Sequence, residues 1–270
     1  MTLNTSKKLA DLKALLASMQ SAVLAFSGGV DSTFLLKVAT DILKDRVIAV
    51  TARSDMFISL EYNEAKEIAE SLNVNWITVE SEALKLPDVW KNPPDRCYHC
   101  KRAIFLKMLE IARSRGIDHV LDGTHAGDTD DYRPGIKALA ELGIRSPLKE
   151  AGLTKAEIRS LSADMGLPTA DKPSMACLAS RFPYGIHITR DKLKQVASAE
   201  TALYHLGFRQ LRVRHHGNLA RIEIASEALP RLAEPETRQK IVETLKELGY
   251  QYVTLDLEGY RTGSLNEVLK

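Results

Sequence analysis

The stretch that most constrains this chain is residues 22 to 33, AVLAFSGGVDST. An apolar run, Ala22 to Phe26, stops at Ser27, Gly28 and Gly29 and restarts at Asp31 as a helical pattern. The order reads as a strand, a glycine turn and a helix N-terminus. Adjacent glycines permit positive φ and close approach of the backbone to a ligand. The helix behind them aims free N–H groups and its positive dipole end at the same point. Such a turn suits a phosphate. It is not a Walker loop, because GxxxxGK[ST] needs a lysine after its second glycine and none stands here.

Periodicity extends the pattern in both directions. Leu9, Leu12, Leu15, Leu16 and Met19 fall at helical spacing, so a helix over 6–19 leads into a strand over 22–26. Phe34, Leu35, Val38, Ala39 and Ile42 continue a helix after the glycines. RVIAVTA (46–52) is the β-branched run of a buried parallel strand, 59–74 a helix, and NWITVES (75–81) a third strand. Alternating strands and helices imply an α/β fold, a doubly wound parallel sheet with right-handed crossovers whose ligands sit at the carboxyl ends of the strands. Pro87, Pro93 and Pro94 then interrupt, giving an irregular segment over 82–96 before a helix over 98–115. A fourth strand is expected over 119–125, a loop over 126–135, a helix capped by Thr154 and Glu157, and a returning loop over 171–185.

Composition changes character near Thr189, which divides the chain into a domain at 1–188 and a smaller α+β domain at 189–270. The second reads as a helix (190–206), two strands (209–216 and 219–225) joined at Gly217 and Asn218, a helix (235–248) and a last strand (250–257). At 270 residues, 44% hydrophobic and 27% charged, the chain is an ordinary globular one. Lys+Arg 37 against Asp+Glu 35 leaves +2, which argues against a nucleic-acid partner. No apolar stretch is long enough for a membrane span and the first residues lack a leader pattern, so a cytoplasmic location is expected.

Three cysteines exclude a disulfide framework. Cys97 and Cys100 form CYHC at a helix start, where thiolates are favoured. The pair fits redox chemistry, half a zinc site that His99, His119 or His125 would help complete, or part of an iron–sulfur site. With Cys177 it makes three thiolates, the number that leaves one iron of a 4Fe–4S cluster open. CLASRFPYG sets Ser180 and Arg181 beside Cys177, groups suited to an anionic substrate. In RVRHHGNLARIE, Arg212 and Arg214 share one strand face by period two, and Glu223 follows on the partner strand. The pair is either a solvated surface or a bidentate phosphate site.

SGGVDS resembles the loop of the PP-loop ATP pyrophosphatases, which split ATP between the alpha and beta phosphates. AFSGGVDST, LDGTHAGDTDDYRPG, CLASRFPYG, RVRHHGNLARIE and YVTLDLEGYRTG together resemble the LarE sulfur insertases over nearly the whole chain. The resemblance implies that a carboxylate of a nicotinate-derived mononucleotide is adenylated and then thiolated, for the nickel-pincer cofactor of lactate racemase. It implies an ATP cradle of Ser27, Gly28, Gly29, Asp31 and Ser32, with Asp31 on Mg²⁺. Ala52, Arg53 and Gly123 would lie along the nucleotide. Arg181, Arg212 and Arg214 would take the substrate phosphate, with Glu200 and Glu223 orienting them or holding a cation. In the family's sacrificial type the residue at Cys177 gives up its sulfur. Cys97 and Cys100 instead make this chain similar to the branch in which three cysteines carry a 4Fe–4S cluster. A homo-oligomer with a small-molecule substrate is implied. The competing readings are a tRNA thiolation enzyme, an amide synthetase, and a metal-cluster sensor that only binds nucleotide.

Overall fold

The computed structural model describes residues 3–57, 59–129, 134–173 and 176–269. The chain divides into two units, Met1–Leu86 with Asp95–Met175, and Pro87–Pro94 with Ala176–Lys270.

The first unit is an α/β layer structure. Helix α1 (Leu3–Ala17) buries Leu9, Leu12 and Leu16 and leads to strand β1 (Ala22–Ala25). Helix α2 (Val30–Leu43), strand β2 (Val47–Arg53), helix α3 (Ser59–Ser71) and strand β3 (Asn75–Glu80) follow. Helix α4 (Arg96–Ser114) and the two-residue strand β4 (Val120–Leu121) complete a sheet ordered β3-β2-β1-β4, parallel throughout. Both faces are covered, and the strands show it residue by residue. Leu24, Val47 and Ala49 join one core cluster with Leu35 and Val38 of α2. Val23, Ile48 and Val50 join another with Phe105 and Met108 of α4. A strand buried on both sides has no room for alternation with polar residues, which is why β1 and β2 are continuous apolar runs.

The fourth strand is shorter than its 119–125 reading. From Asp122 onward the side chains are polar and buried, and regular strand pairing ends at Leu121. Asp122 accepts hydrogen bonds from Thr124 (2.5 Å) and Ser146 (2.5 Å). Arg145 pairs beside Leu121 as an isolated parallel bridge. The loop expected over 126–135 contains a 3-10 turn (Ala126–Thr129), and helix α5 (Pro134–Glu141) begins inside it. Most of the DYRPG motif lies outside the described residues. Helix α6 (Lys155–Asp164) starts at the Thr154–Glu157 capping box, with Thr154 accepting from the Glu157 amide and Glu157 accepting from the Thr154 amide. Burial works against ionised Glu157, but hydrogen bonds from Lys8 and Thr154 outweigh it and hold its pKa at about 2.

The second unit contains helix α7 (Arg190–His205), strands β5 (Leu211–His216) and β6 (Leu219–Ile224), helix α8 (Pro235–Glu247) and strand β7 (Tyr252–Leu255). β5 and β6 form a hairpin closed at Gly217 and Asn218, and β7 pairs with β6 in parallel. One face of this sheet, with Leu211, Val213, Ile222 and Ile224, packs on Ala199 and Leu203 of α7 and Ile241 and Leu245 of α8. The opposite face carries the arginines.

The unit also holds residues 176–188, which composition alone groups with the first domain, and the proline-rich piece 87–94. Backbone hydrogen bonds run from Gly185 to the Asn92 carbonyl (2.9 Å) and from Ile188 to the Trp90 carbonyl (2.8 Å). The Asn92 side chain, fully buried, donates to the carbonyls of Phe182 (3.2 Å) and Pro183 (2.7 Å). These bonds, invisible to periodicity, decide where 87–94 belongs.

On the apolar face of β5, His215 is 3% exposed, touches the Tyr250 hydroxyl through Nδ1 (3.2 Å) and has no partner at Nε2. Burial, with the charges of Lys192 and His216, pushes its pKa down to about 4. The folded state therefore resists a proton that the unfolded chain accepts near pH 6.5, so stability is lost as pH falls from 6.5 toward 4. Between pH 7.5 and 5 denaturant melts should lose roughly 2 kcal/mol from this group, and His215→Phe should flatten that part of the slope.

Candidate active site

Each unit contributes a polar centre. In the first it lies at the carboxyl ends of β1, β2 and β4, where a doubly wound sheet presents its ligand crevice. Gly28 turns the chain after β1 with φ +70°, and a Cβ added there would come within 2.9 Å of Ala65. The turn is braced by hydroxyls: Ser27 and Ser32 Oγ lie 3.1 Å apart, and Ser27 Oγ accepts the Gly29 amide at 3.3 Å. Gly29 is the N-cap of α2 and has no side chain to cover the first-turn amides. Gly123, just past β4, packs against the same turn, since a Cβ there would sit 3.2 Å from the Ser32 amide nitrogen. The loop, the helix start and Gly123 are thus brought together as expected.

Asp31 projects from the first turn of α2. Its Oδ2 accepts Lys155 Nζ at 2.6 Å, while Oδ1 is buried with no partner. A carboxylate oxygen left unsatisfied among uncapped amides fits an oxygen-seeking divalent cation. Lys172 reaches the loop from another direction, donating to the Gly28 carbonyl (2.9 Å) and to Glu64 (2.6 Å). Sequence reading did not find Lys155 or Lys172, which stand 124 and 144 residues from their contacts on the loop. Nor did it single out Asp122, whose buried carboxylate has Lys101 Nζ at 3.8 Å. The only advance signal for these groups is polar residues at a strand end and beside a capping box.

Ala52 and Arg53 end β2. Arg53 is exposed, lies over the Tyr62 ring at 5.4 Å and pairs with Glu80 on β3 at 3.7 Å. Behind it, Thr51 donates to the Phe26 carbonyl (2.8 Å) and accepts from Trp76 Nε1 (2.8 Å), tying β2 and β3 to the root of the glycine turn.

Cys97 and Cys100 occupy the first turn of α4, one turn apart and half-buried. That spacing offers two thiolates on one helix face, as a metal or cluster requires. Within neither unit do three His, Cys, Asp or Glu side chains among the described residues gather to hold a metal ion. Cys177, also half-buried, belongs to the second unit and precedes a 3-10 turn, Leu178–Arg181.

That turn is organised by Arg181, which is fully buried. Its Nε and Nη2 donate to the two oxygens of Glu200 (2.9 and 2.8 Å), and Nη1 to the carbonyls of Ala176 (2.5 Å) and Cys177 (3.1 Å) and to Ser180 Oγ (2.9 Å). Arg181, expected to bind the substrate's phosphate, has these donors on the backbone that carries Cys177. Arg214 is gripped in the same way: Nε and Nη2 on Glu223 (2.8 and 2.7 Å), Nη1 on the Ser180 carbonyl (2.7 Å). Glu200 and Glu223 therefore orient arginines, one of the two roles expected of them. Arg212 shares the face of Arg214; burial together with the charge of Arg181 lowers its pKa, and its Nη1 donates to the Leu211 carbonyl at 2.6 Å. Arg221 was not anticipated. It adds a further guanidinium on that face, 3.1 Å from Glu223 and 3.4 Å from Asp256.

Comparison with known proteins agrees with the first of these centres and then reaches further. A NAD synthase family model matches residues 7–87, the segment from α1 through β3 that contains the glycine turn. Argininosuccinate synthase of Haloarcula marismortui is 29% identical over 55% of this chain and 38% of its own. Uncharacterized protein slr1717 of Synechocystis is 42% identical, covering 97% of this chain and 98% of that one. Pyridinium-3,5-bisthiocarboxylic acid mononucleotide synthase of Lactiplantibacillus plantarum is 40% identical, covering 99% and 96%. A match of that strength over both units, rather than over the nucleotide half alone, shows that the chain belongs to the LarE family of PP-loop ATP-utilising enzymes.

Proposed function

We propose that this protein is an ATP-dependent sulfurtransferase that adenylates a carboxylate of a nicotinate-derived mononucleotide and exchanges its oxygen for sulfur, toward the nickel-pincer cofactor of lactate racemase. The observation that carries the reading is the end-to-end similarity, at 40% identity, to a protein named for synthesis of the bisthiocarboxylic acid mononucleotide.

The chain's residues divide the work. Ser27, Gly28, Gly29 and Ser32 present backbone amides to the beta and gamma phosphates, with Ala52, Arg53 and Gly123 along the rest of the nucleotide. Asp31 holds Mg²⁺ through its unpartnered oxygen, and Lys155 and Lys172 give the loop the positive charge that a Walker lysine supplies elsewhere. The substrate carboxylate attacks the alpha phosphorus and pyrophosphate departs into this set of donors, which stabilise the charge it gathers. Arg212 and Arg214 bind the mononucleotide's phosphate, and Arg181 holds the Cys177 loop in place beside Ser180. Hydroxide leaves a carboxylate poorly and AMP leaves an acyl adenylate well, so ATP is spent on the oxygen that sulfur displaces.

Cys97, Cys100 and Cys177 are the proposed ligands of a 4Fe–4S cluster, which would supply sulfide on its open iron. Supporting this, Cys97 and Cys100 stand one turn apart at the start of α4, and three thiolates are the number that leaves one iron of such a cluster open. Dependence on ATP and on reduced thiolates points to the cytoplasm. The exposed Tyr252, Leu257 and Val268 near the C-terminus support self-association.

With ATP, Mg²⁺ and the biscarboxylic acid mononucleotide, pyrophosphate release is the expected result. Release that requires tRNA would convert the assignment to RNA thiolation, and no release would leave a nucleotide-binding sensor. Asp31→Asn should lower the rate about 100-fold, and Lys155→Met should cut kcat/KM for ATP about tenfold. Anaerobically purified protein should hold about four irons per chain, lost in Cys97→Ala and in Cys100→Ala; stoichiometric zinc in their place would overturn the cluster. Intact mass after turnover should show Cys177 unchanged, whereas loss of its sulfur would make Cys177 the donor.

A further inference from the structure

Helix α6 bears on the glycine turn of the first unit twice, and only one of the two contacts is used above. Lys155, in its first turn, meets Asp31 at 2.6 Å. Four residues on, along the same side of the helix, Arg159 reaches the segment that follows α6 and doubles back on it. Its Nη1 donates to the Ala170 carbonyl at 2.5 Å and its Nη2 to the Lys172 carbonyl at 2.7 Å. The second acceptor is the main chain of the same lysine whose Nζ donates to the Gly28 carbonyl (2.9 Å) and to Glu64 (2.6 Å).

A lysine carries its charge at the end of a flexible four-carbon stem, so where Nζ rests depends on where the main chain starts. Here both ends are held. The Gly28 carbonyl and Glu64 take the ammonium, and Arg159 takes the carbonyl at its root. A planar guanidinium with donors in a fixed fork suits that task, since it bonds two carbonyls two residues apart at once. The helix that carries Arg159 is anchored in turn: the Thr154–Glu157 capping box sets its start, and Lys8 of α1 donates to both oxygens of Glu157 at 2.9 and 2.8 Å. We infer that Arg159 is a positioning residue for the ATP phosphates: it fixes the backbone at 170–172 so that Lys172 stands against the glycine turn. The inference rests on the part proposed for Lys172 in giving that turn its positive charge.

Binding rather than turnover is the measurement, because it needs no second substrate and so stands apart from the proposed sulfur transfer. Calorimetry on the full chain, with Mg²⁺ and α,β-methylene-ATP, which resists cleavage between those two phosphates, gives the Kd. Lys172→Met should weaken binding about tenfold and Arg159→Met about fivefold. AMP lacks the beta and gamma phosphates, and should bind the parent and both variants within about twofold of one another. Because Arg159 acts through Lys172, the double variant should bind the ATP analogue within about twofold of Lys172→Met alone. The positioning role is overturned by any of three results for Arg159→Met: parent-like binding of the ATP analogue, an equal loss of AMP binding, or a full additional loss on top of Lys172→Met. An unchanged Kd in Lys172→Met would remove the role proposed for that lysine, and the inference with it. If Lys172→Met weakens binding where Arg159→Met does not, only the role of Arg159 is lost.

Discussion

The second unit depends on a buried ion pair. Arg181, with no exposure, and Glu200, nearly as deep, satisfy one another in a bidentate contact. Neither uses up its bonding capacity there. Glu200 also accepts the Val213 amide at 2.9 Å, which ties α7 to β5, and Arg181 gathers the carbonyls of Ala176 and Cys177. Desolvating two charges costs several kcal/mol, and such a pair is tolerated only when nearly every donor and acceptor is matched, as here. A hydrophobic pair of the same volume would serve stability as well, but it would leave the backbone around Cys177 without donors. What the pair secures is the path of one loop.

The same logic runs through the arginine face. Three guanidiniums on one side of a small sheet repel one another unless carboxylates intervene. Glu223 lies opposite Arg212 in the ladder, yet its carboxylate bonds the diagonal neighbour Arg214 and, at 3.1 Å, Arg221. Diagonal contacts of this length are within reach of long side chains on an antiparallel pair. The net effect is a surface with its positive charge held in fixed positions, which suits recognition of a compact anion better than a set of mobile lysines would.

How much of this was legible in the sequence depends on the range over which each feature is encoded. The glycine turn, the apolar strands β1 and β2, the Thr154 cap and the Gly217–Asn218 hairpin are written in stretches of a few residues, and all appear. Period two placed Arg212 and Arg214 on one face, but not the burial that turned them from a solvated pair into a clamped one. Lys155 and Lys172 were missed because nothing local marks a lysine whose partner stands more than a hundred residues away. The fourth strand is shorter than HVLDGTH suggests, because the stretch is apolar only at its start and the buried hydrogen bonds of Asp122 that end it depend on Ser146. The boundary near residue 188 followed composition; hydrogen bonds from Asn92 to Phe182 and Pro183 moved 176–188 to the other side of it.

The excursion at 87–94 has a consequence for the order of assembly. Asn92 leaves the ribosome about 90 residues before Phe182, its partner in the clasp. Until then the amide is hydrated, and the chain on either side, β3 behind it and α4 ahead, belongs to the first unit, which can already be folding. Because domains tend to form as they emerge, the first unit would fold around an unfinished loop that is later claimed by the second. Neither unit is a continuous piece of chain, so no single cut releases one intact.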